Sequence, residues 1–414
     1  MNAKKFRPII LAGGSGKRLW PLSTNEKPKQ FISLFGDLSL FDLTLQRVNN
    51  RDIFKKPIVV TSEKYVKFVE HSLSKTGMDV ETVFLEPESK NTFAALTLPV
   101  LTAIKRKELE RYMVMPSDHY IPFNKSFYET CSIVQNQFKN RALTLFGVKP
   151  NTPSTEYGYI SMIPSSNNLK IVNSFIEKPA LEKAKLLIKQ PDTLWNSGIF
   201  CFEGNWLSKS IESRFPEMYS IMMDILSGEN LEQLYFYPSK LKFSKLEDIS
   251  FDKAFVELNE DNYVANLEAG WTDLGSWHSL IKLKKNPEHG LTLQPEGDYP
   301  RTEKPWGYFD VLFETEFSKV KILSINPNQM LSMQMHRYRS ETWYITQGKA
   351  TVTLGDQTID LFPGESISID ANEKHRVQNF GDEVVEIIEI QTGSYFGEDD
   401  IIRFEDIYGR KDFH

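Results

Sequence analysis

Between Ile10 and Lys29 the chain reads Ile-Leu-Ala-Gly-Gly-Ser-Gly-Lys-Arg-Leu-Trp-Pro-Leu-Ser-Thr-Asn-Glu-Lys-Pro-Lys. Gly13, Gly14 and Gly16 let a backbone approach an anion closely, and Lys17 and Arg18 add positive charge. That combination can hold a nucleoside triphosphate. Two common phosphate loops are excluded. Leu11 and Arg18 stand where a Walker loop has its first glycine and its hydroxyl residue, and Leu19 stands where the dinucleotide fingerprint has its third glycine. A glycine-rich turn after a strand is the plain alternative. Farther on, Asp118 and Asp273 are the natural pair for Mg²⁺, which takes one or two carboxylates plus phosphate oxygens. Taken singly, each reads as a helix cap or a turn aspartate. Near the C-terminus, Gln334 and His336 alternate on a strand and so share a face. Glu341 and His375 would complete a mixed nitrogen and oxygen site for a divalent metal.

The elements that must position these groups follow from hydrophobic periodicity. Pro8 to Ala12 is a short apolar run ahead of the glycines, as a buried parallel strand would be. Leu40 to Val48 has helical spacing with Ser39 placed to cap it. Strands are expected at 57–61, 83–85 and 112–115, and helices at 63–73 and 92–104. Strands alternating with helices imply an α/β, mostly parallel sheet covered on both faces, with ligands beyond the carboxyl ends of strands. Glu86-Pro87-Glu88-Ser89-Lys90-Asn91-Thr92 and Pro116-Ser117-Asp118-His119 fall there. Residues 284 to 300, with Asn286-Pro287, His289-Gly290 and Gly297, read as a linker. From about 301 the period becomes two, with short strands at 319–325, 330–335, 343–345, 350–354, 366–369 and 384–391, as in an all-β jelly roll.

A chain of 414 residues exceeds the size at which one core stops growing. The expected domains are 1–283 and 301–414. The net charge of −6 gives no general reason to expect nucleic acid or an acidic membrane. Cys131 and Cys201 show no pairing pattern, and no segment reaches a membrane span of roughly 20 apolar residues. A soluble, cytoplasmic enzyme is expected.

The loop, with Lys29 in Pro28-Lys29-Gln30-Phe31, resembles the signature of the sugar-nucleotide pyrophosphorylases. Tyr157-Gly158-Tyr159-Ile160, Phe175-Ile176-Glu177-Lys178-Pro179, Trp195-Asn196-Ser197-Gly198-Ile199-Phe200 and Gly270-Trp271-Thr272-Asp273-Leu274-Gly275-Ser276-Trp277 extend that likeness. In order and spacing the set resembles bacterial mannose-1-phosphate guanylyltransferases over residues 8 to about 280, which implies a Rossmann-like nucleotidyltransferase domain. By resemblance, Leu11, Ala12, Gly13, Gly14, Ser15, Gly16 and Lys17 would bind the triphosphate of GTP, with Arg18 and Lys29 catalytic. Glu86 and Asn91 would lie near the guanosine, and Asp118 and Asp273 would hold Mg²⁺. Gly158, Glu177, Lys178 and Asn196 would line the pocket for mannose 1-phosphate, with Lys178, Asp118 and Asp273 also catalytic. Thr24, Asn25 and Lys90 depart from the family, which commonly has arginine and a basic or polar residue after Pro-Leu-Ser, and arginine at 90.

Gln334, His336, Glu341 and Gly348, followed by Gly364, His375 and Asn379, resemble the two cupin motifs. The region from Arg301 to Trp306-Gly307, Leu331 to His336, and Gly397 to Asp406 further resemble the mannose-6-phosphate isomerases fused to guanylyltransferases. The resemblance implies a Zn, Co or Ni ion on Gln334, His336, Glu341 and His375, a catalytic role for Arg339, and mannose 6-phosphate and fructose 6-phosphate as substrates. Tyr338 and Thr342 replace histidines usual in that family, and the 284–300 linker is some tens of residues shorter. The resulting expectation is a bifunctional enzyme feeding GDP-mannose synthesis, without nucleic-acid or membrane partners and with room for homo-oligomers. The alternative is a transferase for another hexose 1-phosphate whose cupin only binds or assembles.

Overall fold

The computed structural model describes residues 4–14, 19–122, 125–259, 261–284 and 301–410. Ser15, Gly16, Lys17 and Arg18 of the glycine-rich loop, and residues 285–300 of the expected linker, lie outside them. The chain divides into two compact units: Met1–Lys17 with Ser23–Ser33 and Leu38–Leu274, and Arg18–Leu22 with Leu34–Asp37 and Gly275–His414.

The first unit is built on a ten-stranded sheet. In spatial order its strands are Tyr235–Phe236, Thr82–Glu86, Ile58–Ser62, Phe6–Leu11, Arg111–Pro116, Thr193–Glu203, Leu143–Val148, Asn262–Asn266, Leu169–Ile176 and Tyr159–Met162. The first five are parallel. Thr193–Glu203 then enters antiparallel between Arg111–Pro116 and Leu143–Val148, and beyond it the sheet is mixed. Both faces are covered. Ile9, Ile58, Val60 and Val114 enter one apolar core, and Phe6, Ile10, Val59, Met113 and Met115 enter the other. Alternate residues of one strand therefore feed opposite layers, which is why these strands read as unbroken apolar runs.

The helices follow local chemistry. Leu40–Arg47 begins with a capping box: Ser39 Oγ accepts from the Asp42 N–H and Asp42 accepts from the Ser39 N–H. The expected helix at 63–73 is a 3₁₀ turn, Glu63–Tyr65, leading into Val66–Thr76, which Gly77 stops in the left-handed region at φ 63°. Asn91–Lys105 is apolar almost all round and largely buried. No described helix is long and apolar enough to cross a membrane.

The second unit contains two antiparallel sheets. One orders Thr302–Lys304, Gly307–Glu314, Ser318–Ile325, Val385–Gly393, Arg339–Gln347 and Ser366–Ile369; the other orders Gln357–Leu361, Ala350–Leu354, His375–Gln378, Met333–His336 and Ile401–Glu405. Trp343 and Ile345 from the first share a core with Val352 and Val377 from the second, the sandwich arrangement expected of alternating strands.

Candidate active sites in the two units

In the first unit, functional side chains gather at the carboxyl ends of the parallel strands. Leu11 and Ala12 end the first strand, but the fold itself engages their carbonyls. Leu11 O accepts from Ser117 N (3.0 Å) and Ser117 Oγ (2.7 Å). Ala12 O accepts from Gln30 Nε2 (3.0 Å) and Thr61 Oγ1 (2.9 Å). Gln30 also donates to Gly14 O at 2.9 Å, tying the start of the loop to the segment that carries Lys29. Neither Gly13 nor Gly14 has a positive φ. A methyl group at Gly13 would meet only Glu86 Oε2 at 3.5 Å, and one at Gly14 would meet nothing within 4 Å. The fold makes no steric demand for glycine at either position.

Lys29 is buried, and its ammonium lies 3.1 Å from Asp118 Oδ2 while donating to the Asp273 backbone carbonyl at 2.5 Å. Tyr157 Oη donates to Asp273 Oδ1 at 2.6 Å. Burial alone would raise Asp118, but the charges of Lys29 and His119 and the Lys29 hydrogen bond outweigh it and bring its carboxyl down to about 2. Burial lowers His119 despite Asp118, and Trp271 Nε1 donates to its Nδ1 at 3.2 Å. That bond leaves the proton of a neutral imidazole on Nε2, 3.6 Å from Asp118 Oδ1. Asp118, Asp273 and Lys29, far apart in sequence, are thus brought together, with Tyr157, His119 and Trp271 holding them. Sequence reasoning assigned those three no role, although each stands in a motif already singled out.

Glu86 ends the Thr82–Glu86 strand. Its Oε1 is buried without a hydrogen-bond partner, and burial pushes its carboxyl up to about 8. Asn91 opens its helix in the left-handed region at φ 59° and is exposed, its Oδ1 accepting from Thr92 N. Lys90 Nζ lies 3.2 Å from Glu88 and donates to Ser244 O at 3.1 Å.

Gly158, Glu177 and Asn196 form a third group. The antiparallel register sets Tyr159 opposite Ile176, so Gly158 faces Glu177. Asn196 N donates to Gly158 O at 2.8 Å. Lys178 is largely exposed and pairs with Glu177 at 3.2 Å. Sequence reasoning missed Asp252, whose Oδ1 accepts from Asn196 Nδ2 at 3.1 Å.

In the second unit, His336, Glu341 and His375 converge so that one ligand atom from each lies within 4.8 Å of the others, all three residues buried. His336 Nε2 is 3.1 Å from Glu341 Oε1, and His375 Nε2 is 3.7 Å from Glu341 Oε2. Both Nε2 atoms lack a hydrogen-bond partner. His375 Nδ1 meets the Glu373 carbonyl at 2.8 Å, which fixes the tautomer and aims the Nε2 lone pair into the cluster. Gln334 pairs with His375 across the sheet, and its Oε1 accepts from Ser332 Oγ at 2.9 Å. Orphaned ring nitrogens beside a buried carboxylate are the donor set of a divalent transition metal.

Glu341 is braced by Arg339 Nε (3.3 Å), Gln391 Nε2 (2.9 Å) and Trp343 Nε1 (3.1 Å). Arg339 also donates to Gly397 O, and Asp400 accepts from the Arg337 and Tyr338 N–H groups. Gly397 and Asp400 of the Gly397 to Asp406 motif therefore hold Arg339 and the residues before it, while Ile401–Glu405 pairs with Met333–His336. A cavity of about 50 Å³ borders Gln334, Arg339, Glu341, Glu389 and Gln391. Tyr338 is 57% exposed. Thr342 alternates with the buried Glu341 and Trp343 and so points off that face.

Residues 7–289 match the nucleotidyl transferase family, and residues 297–406 match the mannose-6-phosphate isomerase C-terminal family. The chain is 31% identical to the xanthan biosynthesis protein XanB of Xanthomonas campestris pv. campestris (strain B100), covering 97% of this chain and 99% of that protein. That match extends over 463 residues against the 414 of this chain, so at least 49 residues of the relative have no counterpart here. Mannose-1-phosphate guanylyltransferase ManC of Salmonella typhimurium is 29% identical, with 99% of each chain covered. A crystal structure described as mannose-1-phosphate geranyltransferase from Thermus thermophilus superposes with a TM-score of 0.60 at 26% identity, over 68% of this chain and 80% of that one. Domain matches of this extent, joined to relatives covered from end to end, mean that the chain belongs to the nucleotidyl transferase family, in the form that carries a mannose-6-phosphate isomerase C-terminal domain.

Proposed function

We propose that the chain joins GTP to mannose 1-phosphate, releasing pyrophosphate and making GDP-mannose, and that its second unit interconverts mannose 6-phosphate and fructose 6-phosphate. The observation that carries the transferase reading is the Lys29 ammonium held between the Asp118 carboxylate and the Asp273 backbone at the ends of the sheet strands. The two aspartates offer the hard oxygen ligands that Mg²⁺ prefers, so they are the residues that would hold it. Bound there, Mg²⁺ supplies neutralisation of the charge that grows on the phosphates during transfer.

The rest of the chemistry belongs to the chain. Lys29 is pre-aligned to add positive charge where it develops. Tyr157 holds the Asp273 carboxylate in place. The sugar phosphate oxygen attacks the α-phosphorus in line and pyrophosphate leaves, so no side chain need act as nucleophile. Glycine at 13 and 14, which the fold does not require, suits close approach by a triphosphate. Glu86 offers a carboxylate to the adjacent N–H donors of guanine.

In the second unit His336, Glu341 and His375, with Gln334 beside them, would hold the metal. When bound, the ion polarises the carbonyl and hydroxyl oxygens of the open sugar. Arg339 and Gln391 orient Glu341. The exposed Tyr338 and the outward Thr342 leave that constellation intact, which favours catalysis over a purely assembling role. Both reactions suit a cytoplasmic enzyme.

The test is pyrophosphate release from GTP with a panel of hexose 1-phosphates, run beside an isomerase assay on the same protein. Turnover that requires Mg²⁺ and prefers mannose 1-phosphate is expected. Preference for another hexose phosphate would replace the substrate assignment, and absence of pyrophosphate with every sugar would sink the transferase reading.

A further inference from the structure

Asp252 lies outside every motif that the sequence offered, yet it opens a π-helical turn, Asp252–Val256, beside the expected sugar pocket. Such turns are scarce and often sit at functional positions. Neighbouring contacts hold it there: Phe251 N donates to Thr92 Oγ1 at 2.8 Å, and Phe93 N donates to Ile249 O at 3.2 Å.

Its partner is fully specified. Asn196 Oδ1 accepts from the Gly198 N–H at 3.2 Å, which fixes the amide orientation, and Nδ2 then donates to Asp252 Oδ1 at 3.1 Å. Among the described residues, no other side chain donates to the Asp252 carboxylate. Glu177 stands nearby, its Oε2 only 2.8 Å from where a Gly158 Cβ would be. Burial, and after it the Glu177 charge, lift the Asp252 carboxyl to about 6 against the opposing pull of its own backbone N–H, Lys178 and Asn196. Two carboxylates and a fixed amide are thus collected on one wall, with the largely exposed Lys178 beside Glu177 as cationic compensation. That is a poor arrangement for stability and a good one for accepting hydrogen bonds from neutral hydroxyl groups. The wall adjoins the reacting centre: Tyr157, next to Gly158, reaches Asp273, and a Gly198 Cβ would touch Pro116 and His119.

We propose that Asp252 is a specificity-determining residue that accepts hydrogen bonds from hydroxyls of the hexose ring through the carboxylate oxygen that Asn196 does not hold, with Asn196 fixing its orientation. The proposal rests on the transferase reading and adds to it the group that reads the sugar. A site built to hydrogen-bond a hydroxyl discriminates strongly against a sugar that cannot present it.

Asp252→Asn isolates the claim, because the amide oxygen can still accept from Asn196 while the free oxygen becomes a donor. In the full-length protein, the KM for mannose 1-phosphate should rise about tenfold or more, the range for losing a charge-assisted hydrogen bond. The KM for GTP should stay within about twofold, because the sugar wall does not touch the nucleotide. Discrimination between mannose 1-phosphate and its C2 epimer, glucose 1-phosphate, should shrink in parallel. Asp252→Ser, smaller and uncharged, is the second variant and should behave alike. A folded variant with unchanged KM and unchanged discrimination would overturn the proposal. So would loss of folded protein in both variants, which would make Asp252 a structural brace of the turn. Wild-type protein inactive with every hexose 1-phosphate would instead defeat the transferase reading.

Discussion

Glu86 is the buried group at which stability, pH and the proposed guanine contact would meet. Its folded value, pushed up to about 8, lies above the ordinary 4.5, so ionising it in the free protein costs stability. The sign follows from linkage: stability from this group is fully present below pH 4.5 and is lost as pH rises through 8. Glu86→Gln should therefore melt like wild type near pH 4 and at a higher temperature near pH 9. A melting difference that does not change across that range would show that the carboxyl is unshifted. Guanine donors favour the ionised carboxylate, so binding GTP near pH 7 should release a proton. Calorimetry in buffers of different ionisation enthalpy should detect that proton in wild type and not in Glu86→Gln.

At the same scale, Asp273→Ala should lower turnover by orders of magnitude, since a metal clamp contributes several kcal/mol to the transition state. Undiminished pyrophosphate release would remove Asp273 from the site. Asp118, Glu86 and His336 were legible in the sequence because each follows or ends a strand or alternates along one, and Asp273 because it stands in the Gly270 to Trp277 motif, past the end of the Asn262–Asn266 strand. Asp252 was not, because it starts an irregular helical turn with no strand before it. Tyr157 and Trp271 were visible only as motif letters, since a role in holding another side chain depends on distances between segments.

The elements explain why some positions tolerate no change. Gly158 faces Glu177 because the antiparallel register pairs Tyr159 with Ile176. A Cβ at 158 would approach Phe175 Cζ to 2.7 Å and Glu177 Oε2 to 2.8 Å. Gly158→Ala should cost about 1–3 kcal/mol, the usual range for overpacking. By moving Glu177 it should also raise the KM for the sugar phosphate more than that for GTP. Equal effects on both constants would mean general disruption. The apolar runs at 58–62, 82–86 and 111–116 made the parallel half of the sheet legible. The other half was less so, because Thr193–Glu203 carries Asn196, Ser197 and Gly198 across a register shift, and polar residues at an irregularity blur the alternation that marks a strand. In the second unit Thr302–Lys304, Gly307–Glu314, Gln357–Leu361 and Ile401–Glu405 went unread: the first is short and polar, a register shift interrupts the second, and charged residues break the other two, so pairing with neighbours defines them.

For the molecule as a whole, two chemistries share one chain without sharing ligands. Asp118 and Asp273 belong to one compact unit, and His336, Glu341 and His375 to the other. Each set is held by its own neighbours: Lys29 and Tyr157 in the first, Arg339, Gln391 and Trp343 in the second. On the proposed assignments, the hard oxygen donors suit Mg²⁺ and the imidazoles with a carboxylate suit Zn, Co or Ni, so the two sites need not compete for one ion. His375→Ala should therefore abolish mannose-6-phosphate isomerisation and lower the content of tightly bound metal, measured by elemental analysis of the purified protein. Guanylyl transfer at saturating Mg²⁺ should remain within about twofold of wild type, as expected for sites without shared partners. Chelation followed by add-back of single metals should restore isomerisation with a transition metal and leave it low with Mg²⁺ alone. If His375→Ala loses metal while isomerisation persists, the cluster is a structural metal site and the isomerase chemistry lies elsewhere. If wild type carries no metal there and still isomerises, the ligand assignment fails, and the orphaned nitrogens of His336 and His375 need another partner.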